Sequence, residues 1–124
     1  MKKSALIFAL AVGLLASATL QAQNMSRYIT LTVTNGAAIK LDLAAAAAGT
    51  PVRIVSGSNT QDIRVGTDWK GIASYTAGST TMTVYGDIIG FDCSVNGANL
   101  TALDVSKNTQ LERLSCSFNS LKRR

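Results

Sequence analysis

From Ser26 to Gly86 apolar and polar positions alternate along the chain. Ile29, Leu31 and Val33 interleave with Thr30, Thr32 and Thr34, and Ile39, Leu41 and Leu43 interleave with Lys40 and Asp42. Successive side chains of a strand point to opposite faces, so each run predicts a strand with one buried face. Between the two runs, Asn35-Gly36 supplies the residues that a tight hairpin requires, because both tolerate positive φ. Val52 to Val55, Ile63 with Val65, and Thr80 to Tyr85 predict further strands. Polar turns at Ser56-Gly57-Ser58-Asn59, Asp68-Trp69-Lys70-Gly71 and Thr76-Ala77-Gly78-Ser79 separate them. The five alanines from Ala44 to Ala48 predict a short turn or helical stub that buries its methyls and ends at Gly49; so short a run holds no helix without packing. The expectation is a small antiparallel β unit.

At Ile88 the period changes. Leu111-x-x-Leu114-x-Cys116-x-x-Asn119-x-Leu121 fits the frame L-x-x-L-x-L/C-x-x-N-x-L, and Ile88-x-x-Phe91-x-Cys93-x-x-Asn96 fits it one unit earlier. Leu100-Thr101-Ala102-Leu103-Asp104-Val105-Ser106-Lys107-Asn108 forms the other half of the unit. Cys93 to Cys116 and Asn96 to Asn119 are each 23 residues apart, whereas Leu100 to Leu121 is 21, which places a two-residue insertion near Gly97-Ala98. In such a unit the chain runs through a short strand, turns sharply and returns along the opposite side. Leu114 and Cys116, two apart on a strand, therefore point to one interior face. The amides of Asn96 and Asn119, with two donors and an acceptor each, satisfy backbone groups that the turn leaves unpaired. Leu103, Cys93, Asn96, Leu114, Cys116 and Asn119 form the expected structural ladder. Arg113, Ser115, Ser117 and Phe118 occupy the variable positions whose side chains face outward.

The joined halves L-x-x-L-x-C-x-x-N-x-L and L-x-x-L-D-V-S-K-N-T resemble the cysteine-ladder leucine-rich repeats of internalin-J-like surface proteins, especially those of Bacteroidetes such as Porphyromonas. Ile29-Thr30-Leu31-Thr32-Val33-Thr34 and Thr80-Thr81-Met82-Thr83-Val84-Tyr85-Gly86 look like the lead-in of such proteins. The resemblance implies a mainly β fold: a small antiparallel β-rich N-terminal cap over residues 23–87, then the first one to two coils of a leucine-rich-repeat solenoid over residues 88–124. It also implies unpaired thiols at Cys93 and Cys116, and partner binding on the outward strand face. The chain departs from the family in one respect: members carry long arrays followed by a C-terminal sorting domain, whereas roughly one and a half repeats are present here. A stable array ordinarily needs about three repeats, so a truncated, non-functional remnant of a longer repeat protein is one alternative.

Residues 1–22 read as a secretory signal peptide, with Lys2 and Lys3 before an apolar run from Ala5 to Ala18 and Leu20-Gln21-Ala22 as the cleavage site. The run is shorter than the ~20 apolar residues a membrane span needs. The expected location is therefore outside the cytoplasm, secreted or on the outer surface, with no membrane span after cleavage. Export alters the charge picture. Of the 12 basic residues, five are Lys2, Lys3 and the tail Lys122-Arg123-Arg124, which leaves seven against seven acidic ones. The body is neutral and carries no basic stripe with interleaved aromatics, which argues against nucleic acid as a partner.

With no His in the chain, neither a Ser-His-Asp arrangement nor a His-ligated zinc site can form. Two cysteines are too few for a thiolate zinc site, and the glycines fit no phosphate-binding frame. Asp87 and Asp92 lie close in sequence, as a carboxylate pair for acid-base or calcium chemistry would, but solvated loop aspartates are the commoner case. The expectation is no enzyme, no cofactor and no metal. For Cys93 and Cys116 the residues alone leave two readings. Adjacent strands lie ~4.8 Å apart, within the range a disulfide spans, while interior ladder positions suit buried thiols acting as small hydrophobes. The functional expectation is an adhesin-like protein-protein interaction through Arg113, Ser115, Ser117 and Phe118. A carbohydrate-binding β module at residues 24–87, with Trp69 and Tyr75 as stacking platforms, is the competing class, making a glycan the alternative partner.

Overall fold

A computed structural model describes residues 22–117 of the chain. Among them the regular structure is entirely β. The strands are β1 (Tyr28–Val33), β2 (Ala38–Ala45), β3 (Thr50–Ser56), β4 (Asn59–Val65), β5 (Ala73–Thr76), β6 (Thr81–Tyr85), β7 (Ile88–Asp92), β8 (Leu100–Asp104) and β9 (Arg113–Ser115). They form two sheets, one ordered β9-β7-β2-β5 and the other β4-β3-β6-β1-β8. Every neighbouring pair is antiparallel except β7 and β9. Among the described residues no helix is long and apolar enough to cross a membrane.

The alternating positions produce the expected inward faces. Ile29, Leu31 and Val33 of β1, Ile39, Leu41 and Leu43 of β2, and Met82 and Val84 of β6 are buried in one apolar core shared by both sheets. Each such side chain contributes about 1.5–3 kcal/mol by leaving water. β3 and β4 form the expected hairpin around Gly57-Ser58, in register from Thr50↔Val65 to Ser56↔Asn59.

Asn35-Gly36 does not close a hairpin. β1 and β2 lie in different sheets, and the turn between them is a corner, with Gly36 at φ 88° and its N–H donating to the Ala77 carbonyl. Both runs carry an apolar face of equal size. Packing the faces against each other across the core buries both, while side-by-side pairing would leave them without a cover. The chain changes sheet again at Gly86, where φ is 146° and β6 gives way to β7. Nor do the alanines form a helical stub. Ala44 and Ala45 extend β2 and are fully buried, while residues 46–48 are exposed in the turn that ends at Gly49.

Strands from residues 23–87 and from residues 88–117 share both sheets, those from 88–117 lying together at one edge of each. β7 pairs with β2, and β8 pairs with β1 through Leu31↔Leu103 and Thr30↔Asp104. Leu100 is buried in the common core and Leu103 packs half-buried against it. The chain leaves the four-stranded sheet at β7, crosses to the five-stranded sheet at β8, and returns to lie parallel to β7 at β9. A parallel pair requires a crossover of this kind.

Candidate interaction surface

The parallel pairing of β7 and β9 sets the geometry of the site. Its register is Arg113↔Gly90, Leu114↔Phe91 and Ser115↔Asp92, an offset of 23 residues. This is the spacing that separates Cys93 from Cys116. Beyond the strands the Cys93 N–H donates to the Ser115 carbonyl at 2.9 Å, the Val95 N–H to the Ser117 carbonyl at 3.2 Å, and the Glu112 N–H to the Ile89 carbonyl at 2.8 Å.

Inside the crossover, Asn96 is buried at its turn. Its Oδ1 accepts from the Lys40 N–H at 2.7 Å, and its Nδ2 donates to the Lys40 carbonyl at 2.9 Å and the Cys93 carbonyl at 2.8 Å. One side chain thus fastens the turn after β7 to the middle of β2. Asn108, which the repeat frame did not single out, does similar work. It is buried, its Nδ2 donates to the Ile88 carbonyl at 3.0 Å, and its Oδ1 accepts from the Gln110 N–H. The signal available in sequence was its place in Ser106-Lys107-Asn108-Thr109, a turn-forming run that ends the returning half of the unit. Leu114 faces the same side as fully buried Phe91, yet it is 45% exposed. β9 is the edge strand, so only one flank of Leu114 is covered. Asn119 and Phe118 lie outside the described residues. Val95, which stands 23 residues before Phe118, is exposed.

Cys93 is fully buried and Cys116 is half-buried, and both are thiols. Burial, reinforced by the nearby Cys116 and by the Asp92 carboxylate, pushes the Cys93 thiol from its ordinary 9.0 up to about 12. The fold therefore disfavours the thiolate. The associated stability is fully present below pH about 9 and is lost as pH rises towards about 12. Alkaline titration of the folded chain should show a loss of stability across that window that is flattened in Cys93→Ala. Near neutral pH Cys93 should resist iodoacetamide until the chain is unfolded.

The outward face of the four-stranded sheet carries the exposed chemistry. Gly90 lies under Trp69: a Cβ added there would come within 3.0 Å of the indole, and Ala44 beside it is fully covered. The bare Gly90-Ala44 floor gives the ring a flat seat. The Arg113 guanidinium lies over the same ring, 5.0 Å from its centroid, within the ~6 Å over which a cation is attracted to an aromatic face. Trp69 stays 39% exposed, and Arg113 is exposed above it. Next along β9, the Ser115 hydroxyl pairs with the Ser94 hydroxyl at 2.8 Å. Ser117 is exposed beyond it. Asp42 and Asp92 sit directly opposite each other in the β2–β7 register, an arrangement that costs repulsion when unrelieved. Each is held by a backbone donor, Asp42 by the Gly71 N–H at 2.8 Å and Asp92 by the Ser94 N–H at 2.9 Å.

Asp87 and Asp92 are not brought together as an acid-base pair. Asp87 accepts from Arg27 at 2.6 Å and from Asn24 at 2.8 Å on the opposite end of β7, while Asp92 faces Asp42. Among the described residues no three His, Cys, Asp or Glu side chains gather in a way that could hold a metal ion. Trp69 and Tyr75 do not share a surface as paired platforms either. Tyr75 points into the core at 7% exposure, and its hydroxyl is pushed up in pKa by burial and by the Asp42 carboxylate. The residue missed in sequence was Trp69 as a partner of Arg113, since nothing local links positions 44 residues apart.

Val95 occupies the turn after β7 with φ 61°. A β-branched residue in the left-handed region is strained, by about 1–2 kcal/mol. Val95→Gly, or Val95→Asn, should therefore raise the unfolding free energy by about 1 kcal/mol in chemical denaturation, as the exposed side chain loses little packing.

In comparison with known proteins, the chain matches no family model, no curated protein and no solved structure.

Proposed function

We propose that the chain is an exported, non-enzymatic interaction protein, adhesin-like, that binds a protein partner on the outward face of its four-stranded sheet. In this reading β7, β8 and β9 are the opening coil of a leucine-rich-repeat solenoid, and the strands before them cover its apolar end. An uncovered end would expose both core side chains and a strand edge. The observation that carries the reading is the Arg113–Trp69 stack on its Gly90 seat. Trp and Arg dominate the energetics of protein interfaces, and a ring already seated and capped by a guanidinium loses little freedom on binding. The Ser94–Ser115 hydroxyl pair and the flanking Lys40 and Asp42 supply a polar rim.

Labelled full chain applied to an array of purified extracellular and surface proteins tests this. A protein signal that falls at least about tenfold in both Trp69→Ala and Arg113→Ala, a loss of about 1.4 kcal/mol or more, is the expected result. Signals that persist undiminished in both variants would overturn the assignment of this face.

A further inference from the structure

Among the described residues β9 has a neighbour on one side only, β7, and its other edge is open. The Ser115 and Ser117 carbonyls accept from the Cys93 and Val95 N–H groups, so these two residues turn their backbones toward β7. Along a strand, successive residues turn their backbone groups to opposite edges, just as their side chains turn to opposite faces. The N–H and C=O of Leu114, one residue before Ser115, therefore point to the open edge. Unpaired groups at such an edge are a template for another strand.

The side chains on the two faces of β9 say what that strand would carry. An edge kept free of strands commonly points a charge inward. β9 points Leu114 inward instead, 45% exposed, with half-buried Cys116 next on the same side and Leu111 packed half-buried against the core just before the strand. This apolar side has no cover on the flank away from β7. On the outward side Arg113 is exposed, and among the described residues the salt bridges are Arg27–Asp87 and Arg53–Asp62, so its charge is not neutralised by a carboxylate. Its guanidinium is held over the Trp69 ring, and Asp92 behind it is taken up by the Ser94 N–H. A fixed, unneutralised guanidinium at a strand edge is complementary to a carboxylate brought alongside.

We infer that β9 takes an added strand from the protein partner: an extended segment with an apolar residue opposite Leu114 and an acidic residue beside Arg113. The inference rests on the reading of the Trp69–Arg113 face as the partner surface and names how the partner reaches it. In strand addition the backbone bonds supply affinity and the alternate side chains supply specificity. Here the bonds go to Leu114, the apolar contact covers its open flank, and the carboxylate selects the segment by charge.

Amide NMR titration of the full chain with a short capped peptide alternating valine and glutamate tests the inference. The controls are the valine-lysine counterpart and a valine-glutamate peptide with N-methylated backbone. The expected result is a saturable shift of the Leu114 amide and the Trp69 indole N–H, with Kd of about 1 mM, and slowed hydrogen exchange at the Leu114 N–H. Neither control should bind. Binding should weaken severalfold in Arg113→Ala and at least about tenfold in Leu114→Pro, which removes the outward N–H and leaves the β7–β9 bonds of Ser115 in place, as proline is tolerated on an edge strand. No saturable shift at Leu114, undiminished binding in folded Leu114→Pro, or equal binding of the N-methylated peptide would overturn the inference. The N-methylated control decides if Leu114→Pro fails to fold. Self-association of the chain that blocks peptide binding and is lost in Leu114→Pro would assign the edge to a second copy and overturn it too. If no peptide binds while the array signal still falls in Trp69→Ala and Arg113→Ala, strand addition fails and the face stands. If the array signal persists in both variants, the face itself fails.

Discussion

Asn96→Leu should lower the unfolding free energy by about 3 kcal/mol, measured as a shift of the chemical denaturation midpoint. The substitution keeps the volume nearly constant but removes an acceptor and two donations, leaving the Lys40 N–H, the Lys40 carbonyl and the Cys93 carbonyl without their partner. Each buried backbone group stripped of its partner costs about 1–3 kcal/mol, and the part-buried Lys40 groups recover some of that from water. The control is Asn99→Ala, at an exposed position three residues on, whose backbone carbonyl accepts from Thr34 N–H independently of its side chain. That change should stay within about 0.5 kcal/mol. A cost for Asn96→Leu no larger than the control would mean that the turn after β7 is not fastened to β2.

The second large effect is expected at Phe91, among the largest of the fully buried side chains. It stands between Leu43 of β2 and Leu114 of β9 in the sheet register. Truncation to alanine leaves a cavity flanked on both sides by strands that cannot collapse inward, and should cost about 3–5 kcal/mol. Leu114 fills the same position of the repeat frame but on the edge strand, 45% exposed. Its truncation should cost about 1 kcal/mol, because much of the side chain is already in water. The unequal response of two positions paired in register separates an edge strand covered on one flank from a strand covered on both. Equal costs would require Leu114 to be covered as fully as Phe91.

Much of the fold was legible in the alternation of side chains. Ile29-Leu31-Val33 and Ile39-Leu41-Leu43 each form a strand with its apolar face inward, and the 23-residue spacing of Cys93 and Cys116 reappears as the β7–β9 register. Asn96 does at its turn what its amide chemistry suggested. Period and spacing are local properties, and these features depend on them. What was not legible depended on which faces meet. Asn35-Gly36 has hairpin residues, but the choice between pairing β1 with β2 and packing them across a core is made by total burial, which no short segment encodes. Leu100 to Asp104 read as the returning half of a repeat. That it forms a strand against β1 follows from the free edge β1 offers, a long-range fact. The candidate surface was half legible: their positions in the frame put Arg113, Ser115 and Ser117 on the outward face, whereas the Trp69 beneath Arg113 comes from a distant loop laid across Gly90.

Because Trp69 is the sole tryptophan, its fluorescence reports on that surface without interference. Acrylamide quenching of Trp69 in the native chain, compared with Arg113→Ala and with Ser117→Ala as the control, tests most directly whether the crossover from β7 returns β9 to build this face. Removal of the guanidinium that lies 5.0 Å over the ring should raise the quenching constant, and Ser117→Ala should leave it unchanged. An Arg113→Ala chain that is folded and quenched no faster than the native one would contradict the stack, and with it the placement of β9 beside β7.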